Sequence, residues 1–434
     1  MKHCSLIFVA VVLLCTAGLE AQTKSVKKSP VLAEAKPETV GMSEERLARI
    51  DKMCTEAVET GSVPGVVALV ARNGKFVFWN AYGMADSETG RKMKRDDIFR
   101  IASQSKAITA TAVMMLWEEG LFRLDDPVSK FIPEFRNPQV LKTFRYSDTT
   151  WTGEPAHREI TIRHLLTHTS GLGYGMIDGD ERMKMLYQKA GVTDLFTTEN
   201  ITIEESVKRL AKLPLHHHPG EGRTYSEGLD VLGYFIEVVS GIPFDEFLRA
   251  RIFDPLGMVD TWFYLPDQKA GRLVPVQHAV NGKWKRFPVT FYDPDYPVKG
   301  ARTFFSGGAG LSSTAKDYAT FLQMYLNGGE YNGVRILSRT TVDLVLTNHI
   351  GELWDLPGEP MRDFGLAFEI LTPEGQATGG MGTAGTFNWG GYFNTQYFAD
   401  PSEQIIGIIF KQTQGISEDS NRKFRQLVFQ SLDD

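Results

Sequence analysis

Short β-branched runs gather near the two ends of this chain, and a long stretch of helix and loop signals separates them. Near the start, Pro64–Arg72 and Lys75–Gly83 flank Asn73-Gly74, the pair that favours a type I′ hairpin. Near the end, Phe364–Leu371, Asn388–Ala399 and Gln404–Lys411 read as strands. A hairpin left alone in water is marginal, so these runs must find partners in one another. The expected architecture is therefore α/β (α+β), with an antiparallel sheet built from both termini, flanked by helices, and a mostly helical lobe inserted between. Residues 38–120 and 300–434 would form the α/β lobe. Residues 121–299 would form the helical lobe and the loops that cover a cleft.

Within that frame the helices are marked by caps and periodicity. Ser43 opens a helix to about Thr60, with Leu47, Ile50, Met53, Cys54 and Val58 on one side and Gly61 ending it. Ile160–Leu172 reads as a short helix running into a glycine turn; Thr202–Leu213, Leu229–Val239 and Phe244–Ile252 read as helices. Trp262–Lys299 is aromatic, irregular and long, the kind of segment that covers a site. Thr314 and Asp317 form a capping-box pattern for a helix to Tyr325, and Asn421–Leu432 reads as a terminal helix.

The first residues carry Lys2, the apolar run Leu6–Leu14 and small residues up to Ala21. That pattern predicts a secretory signal over 1–21 and a periplasmic or extracellular protein. The run is short for a span, and no second long apolar segment follows, so no stable membrane span is expected in the mature chain. Residues 22–37, rich in Lys, Ser and Pro, read as a flexible leader. Cys54 would then be the one mature cysteine, with buried packing as its role and no intramolecular disulfide. The net charge of −6 comes with no basic stripe, so no nucleic-acid partner is expected. Oligomeric state is left open.

Chemistry concentrates where Phe99–Lys106 runs into the small-residue helix Ala107–Trp117. Ser103 and Lys106 lie one turn apart on one face, so the lysine can reach the serine hydroxyl. Three other S-x-x-K matches begin at Ser25, Ser313 and Ser420. Their contexts are a polar leader, a capped helix and a C-terminal stretch without catalytic neighbours, so Ser103 is the candidate nucleophile. No G-x-S-x-G elbow exists to supply a histidine-based triad. His168 reads as a residue that holds a turn. His216, His217 and His218 are adjacent and point in different directions, so no metal site is expected. Tyr225, between a Pro-Gly loop and a helix, is the better base, because a lysine ammonium nearby favours a phenolate. For the oxyanion, the Ser103 N–H at the helix mouth is one donor. The strand Phe387–Tyr392 offers the other, with Gly390 and Gly391 allowing close approach and Trp389 as an apolar wall. The Gly307-Gly308 turn is the alternative glycine-lined wall.

Taken together these residues resemble the serine β-lactamase and penicillin-binding-protein superfamily. They look most like its esterase branch, the family VIII carboxylesterases, related to class C β-lactamases and D,D-peptidases. The resemblance runs from about Val40 to Lys411. Ser103-Gln104-Ser105-Lys106 matches the nucleophile box and Tyr225-Ser226 the tyrosine box. Leu165–Leu172 matches a hallmark without direct catalytic role, and Gly308–Tyr318 the glycine-Ser-Thr segment. Two departures stand out: Glu227 where class C enzymes usually carry Asn, and Trp389-Gly390-Gly391 where they carry Lys-Thr-Gly. The strand lysine helps hold a penicillin-type carboxylate, so its absence weakens a β-lactamase reading. The resemblance implies a two-step acyl transfer on Ser103 with Lys106 and Tyr225 moving protons, no cofactor, and by position the Tyr392 N–H as second oxyanion donor. A small ester or amide would be the substrate. Three functions follow: a secreted serine esterase on short acyl or aryl esters, a D-amino-acid peptidase or weak β-lactamase, and a binding protein without turnover, which the Glu227 departure allows.

Overall fold

The computed structural model describes residues 23–354, 361–379 and 381–434; the expected signal segment lies outside them. Nine strands form the main sheet: β1 (Ala33–Glu34), β2 (Gly65–Arg72), β3 (Lys75–Asp86), β4 (Arg91–Lys92), β5 (Arg362–Phe364), β6 (Glu369–Leu371), β7 (Phe387–Gly391), β8 (Thr395–Asp400) and β9 (Ile405–Phe410). Their order is β1-β3-β2-β9-β8-β7-β6-β5, with β4 pairing to β3 off that path. Pairing is antiparallel except where β1 meets β3. The two ends of the chain thus meet at β2 and β9, as the distribution of strand signals requires.

Five helices place the sheet and the site: α1 (Glu44–Glu59), α2 (Ser105–Glu118), α3 (Gly228–Ser240), α4 (Ala315–Leu326) and α5 (Ser420–Phe429). Every residue of β2 is buried, because it is covered on both faces. Val66, Ala68 and Val70 pack with Leu47, Ile50 and Cys54 of α1 and Phe424 and Val428 of α5. Val67, Leu69 and Ala71 face the larger core containing α2 and α4. Burying each Val or Leu this fully contributes about 1.5–3 kcal/mol. In β9, Gly407 is required by packing, since a Cβ there would run into the Phe398 ring. α2 is buried at every position from Ser105 to Leu116, as a helix apolar on all sides must be. It lies against α3, and Thr111 Oγ1 is hydrogen-bonded to the Tyr325 hydroxyl of α4 at 2.7 Å.

Several local expectations change. Phe364–Leu371 is not one strand but the hairpin β5–β6, turning through Ala367 at φ +67°. Leu366 and Phe368 are buried in that turn, which disguised it as strand. Asn388–Ala399 is likewise the hairpin β7–β8, with Asn394 at φ +65° in the turn. The middle is not purely helix and loop. Gln139–Arg145 pairs with Thr150–Pro155, and Gln277–Val280 pairs with Lys283–Arg286 across Asn281-Gly282. The segment read as a flexible leader is tied down over part of its length. Lys24 bridges to Val334, Leu32 is buried, and Ala33–Glu34 pairs with Lys75–Phe76. Thr314 caps α4 by accepting from Asp317 N–H at 3.1 Å, but the Asp317 carboxylate turns to Asp260 N–H and Thr261 Oγ1. Among the described residues no helix is long and apolar enough to cross a membrane.

Candidate active site

Ser103 sits in a 3-10 turn, Ala102–Gln104, immediately ahead of α2. Ala102 has φ +45°, a left-handed conformation costing an L-residue about 1–2 kcal/mol. The flanks hold it there: Ile101 N–H donates to Leu311 O at 3.0 Å and Gln104 N–H to Ile101 O at 3.1 Å. Ser103 is thereby half-buried at the mouth of the helix. Lys106 Nζ donates to Ser103 Oγ at 3.3 Å and to Gly308 O at 2.7 Å. The Tyr225 hydroxyl donates to Ser103 Oγ at 2.7 Å. Lys106 Nζ also lies 4.7 Å from the centre of the Tyr225 ring and 5.6 Å from that of Tyr174. The three residues singled out in the sequence therefore converge on one oxygen.

What aims Lys106 was not read from the sequence. Asp230, in the first turn of α3, accepts from Ser306 Oγ at 2.5 Å and from Gly308 N–H at 3.3 Å. A Cβ on Gly308 would lie 2.5 Å from Asp230 Oδ2, so only glycine fits between the aspartate and the lysine. The Gly307-Gly308 turn is thus a carbonyl surface: Gly307 O accepts from Thr109 Oγ1 and Gly308 O from Lys106. Its part is to hold the lysine rather than an oxyanion.

Tyr225 is delivered by a loop pinned to the His168 turn. Gly220 N–H donates to Thr169 O, Thr224 N–H to His168 O, and Ser226 N–H to His168 Nδ1 at 3.2 Å. The His168 ring lies 4.6 Å from the Tyr225 ring. Burial, then the charges of Lys106 and Arg223, holds this imidazole well below its ordinary pKa, so it is neutral and braces the turn. The three adjacent histidines diverge. His216 bonds to Asp178 at 2.9 Å, His217 Nδ1 contacts His218 O, and His218 stacks on His157 at 3.5 Å. His157, His218 and Glu221 bring ligand atoms within 4.8 Å, but the two rings are only 8° from parallel. Lone pairs lying in parallel ring planes do not converge on one ion.

β7 ends against the Ser103 turn. A Cβ on Gly391 would come within 2.5 Å of Ile101 O, so the strand can approach this closely only as glycine. Among the described residues, the main-chain N–H groups of Ser103 and Tyr392 donate no hydrogen bond within the fold. Trp389 is half-buried, 6.0 Å from Tyr225 and 5.6 Å from Phe364 between ring centres. Gly390 leaves its side of the strand open. Behind Tyr392 lies an aromatic cluster that includes Phe196, Tyr292, Tyr296 and Phe393. Tyr292 and Tyr296 come from the long irregular segment, which does border the site.

Glu227 is 3% exposed and lies below the site rather than on its surface. Burial first, then Asp194 and Asp230, pushes its carboxyl well above the usual range. Burial likewise raises Asp194 to about 6. Asp194 and Tyr174, both brought in from loops, had no sequence signal.

An antiparallel sheet with flanking helices, and a serine at a helix mouth met by a lysine one turn on and a tyrosine from the facing lobe, define a serine hydrolase of the penicillin-recognising type. The chain belongs to the beta-lactamase family, whose model matches residues 50–430. It is 34% identical over 364 residues to Protein Rv1367c of Mycobacterium tuberculosis, covering 81% of this chain and 86% of that one. It is 32% identical over 403 residues to Esterase EstB of Burkholderia gladioli, covering 88% and 95%. Among solved structures it is similar to EstCE1, a hydrolase with promiscuous acyltransferase activity, at TM-score 0.75 and 28% identity, covering 89% and 99%.

Proposed function

We propose that this serine hydrolase is an exported carboxylesterase working through an acyl-enzyme on Ser103. The observation that carries the reading is the 2.7 Å Tyr225–Ser103 hydrogen bond with Lys106 Nζ on the same Ser103 oxygen. For Ser103 to attack a carbonyl, its proton must pass into the Tyr225–Lys106 pair, either onto a phenolate beside the ammonium or onto a neutral amine. The oxyanion that forms meets the Ser103 and Tyr392 N–H groups, each such donor being worth about 2.7–4 kcal/mol in the transition state. The pair then returns the proton to the leaving alcohol, and water, activated by the same pair, releases the acid. The Trp389-Gly390-Gly391 strand supports esters over penicillin-type anions, because it presents indole and open backbone where a lysine would hold a carboxylate. The name of EstB points the same way. Export rests on the charged, apolar and small-residue order of 1–21.

The test is hydrolysis of p-nitrophenyl acetate and butyrate beside nitrocefin and a D-Ala-D-Ala peptide. Ester turnover that is dominant and abolished by Ser103→Ala is expected. Activity surviving that change, or nitrocefin or D-Ala turnover exceeding ester turnover, overturns the reading.

A further inference from the structure

We infer that the far side of β7 and β8 carries a second ligand site, separate from the Ser103 centre, and that it takes a small organic carboxylate held by the Arg425 guanidinium and the side-chain amides of Asn388 and Gln396.

The placement follows from the sheet. Neighbouring residues of a strand point to opposite faces. Trp389 packs on the larger core, on the catalytic side, so Asn388 points the other way, towards α5. Asn388 stands opposite Phe398 in the β7–β8 ladder, and Gln396 precedes Phe398 by two residues, so all three share that face. Between them and α5 lies a cavity of about 380 Å³. That falls within the range of small-molecule sites, about 300–1,000 Å³. Phe398 and Phe424, which pack together under α1 and α5, give the cavity an aromatic wall.

Polar groups at this cavity outnumber their partners. Arg425 Nε donates to Met381 O at 2.8 Å, and its guanidinium lies 5.3 Å from the centre of the Phe398 ring. The fork is thereby held, yet Nη2 is buried without an acceptor among the described residues. Asn388 is 7% exposed, and neither its amide nor that of Gln396 makes a side-chain hydrogen bond among the described residues. Buried donors without acceptors are costly, so a ligand that supplies the acceptors is favoured.

Charge selects the kind of ligand. The acidic residues lining the cavity are already engaged: Glu418 with Lys411 at 2.5 Å and Asp419 with Lys423 at 3.1 Å. Arg362 is held by Glu369 at 3.1 Å, and the exposed Arg422 leans to Asp419 at 3.9 Å. Among the described residues, Arg425 is thus the lining cation without an ion-pair partner. A planar carboxylate matches a guanidinium fork, and its remaining lone pairs accept from amide N–H groups. An inorganic anion would answer the charge but leave the aromatic wall uncovered, whereas an organic carboxylate answers both. Because the cavity lies across the sheet from Ser103, its ligand does not compete with an ester for the catalytic site.

Titration calorimetry with sodium benzoate, beside inorganic phosphate, tests this on the full chain. Benzoate should bind the wild-type protein, and Ser103→Ala and Tyr225→Phe should bind it within about twofold of wild type. Arg425→Gln should lower the affinity at least about tenfold, the loss expected for a hydrogen bond to a charged group. Gln396→Met should lower it to a similar degree. This second change removes no hydrogen bond of the fold, so it decides the matter even if Arg425→Gln does not fold. No benzoate binding overturns the inference, as does binding that depends on Ser103 or Tyr225 but not on Gln396 or Arg425. Phosphate bound more tightly than benzoate overturns the organic carboxylate. None of these outcomes depends on ester turnover, so failure of the esterase reading would leave the site standing.

Discussion

Tyr225 shows most plainly what a single residue contributes here. Its ring packs between His168 and Trp389, while its hydroxyl alone touches Ser103. Tyr225→Phe should therefore leave the thermal midpoint nearly unchanged and lower kcat/KM by about 10²–10⁴-fold, which stopped-flow ester hydrolysis and melting curves would show together. Gly308→Ala should act through the lysine. The new Cβ meets Asp230 Oδ2 and the Tyr174 hydroxyl, so Gly308 O must move away from Lys106. Activity should fall by at least about tenfold, or 1.4 kcal/mol of barrier, with a smaller change in stability. Ser103 and Lys106 were legible because a helix turn brings them together from local spacing alone. The parts played by Asp230 and Gly308 are not, because they arise only where the start of α3 and a glycine turn, distant in sequence, meet beside Lys106.

At the scale of elements, the same signal succeeded once and was overlooked elsewhere. Asn73-Gly74 reads as a hairpin turn, and both residues adopt positive φ. Asn281-Gly282 and Asn332-Gly333 do so too, joining short pairs of strands, the first inside the segment that reads as irregular and the second in a stretch that carries no strand reading. Short strands carry too little alternation to be recognised without their partner. The long central strands were legible because burial on both faces writes a continuous apolar run. That difference has an energetic counterpart. Leu69→Ala in β2 empties a fully buried site facing the larger core, and should cost about 2–5 kcal/mol in denaturant unfolding. Acylation of the folded fraction should be unaffected, since β2 does not contribute to the site.

For the whole molecule, the joining of the two ends matters as much as any one element. The Lys411 ammonium, just after β9, is fully buried and donates to Glu418, Ser420 Oγ and Asn421 Oδ1 around the start of α5. Glu418 also accepts from Asn394 in the β7–β8 turn, two residues beyond Tyr392. Burial alone would raise the Glu418 carboxyl, but Lys411 and Ser420 outweigh it and bring it to about 2. A carboxyl lowered by folding stabilises the fold above its unfolded value of about 4.3 and loses that contribution as pH falls towards about 2. Glu418→Gln should therefore flatten the decline in melting temperature between those values. At neutral pH it should cost about 3–5 kcal/mol, because Lys411 is left buried without its counter-charge. The sheet drawn from both termini was legible in the sequence. The ion pair that locks its last strand to the final helix was not, since Lys411 looked like the polar end of an apolar run.

The function proposed for this chain requires that Ser103 become covalently acylated. Intact-mass spectrometry after brief mixing with p-nitrophenyl butyrate, followed by acid quench, addresses it directly. One butyryl increment is expected on the wild-type chain, located at Ser103 by peptide mapping and absent from Ser103→Ala. Ester turnover without any adduct, or with the adduct on another residue, would contradict it.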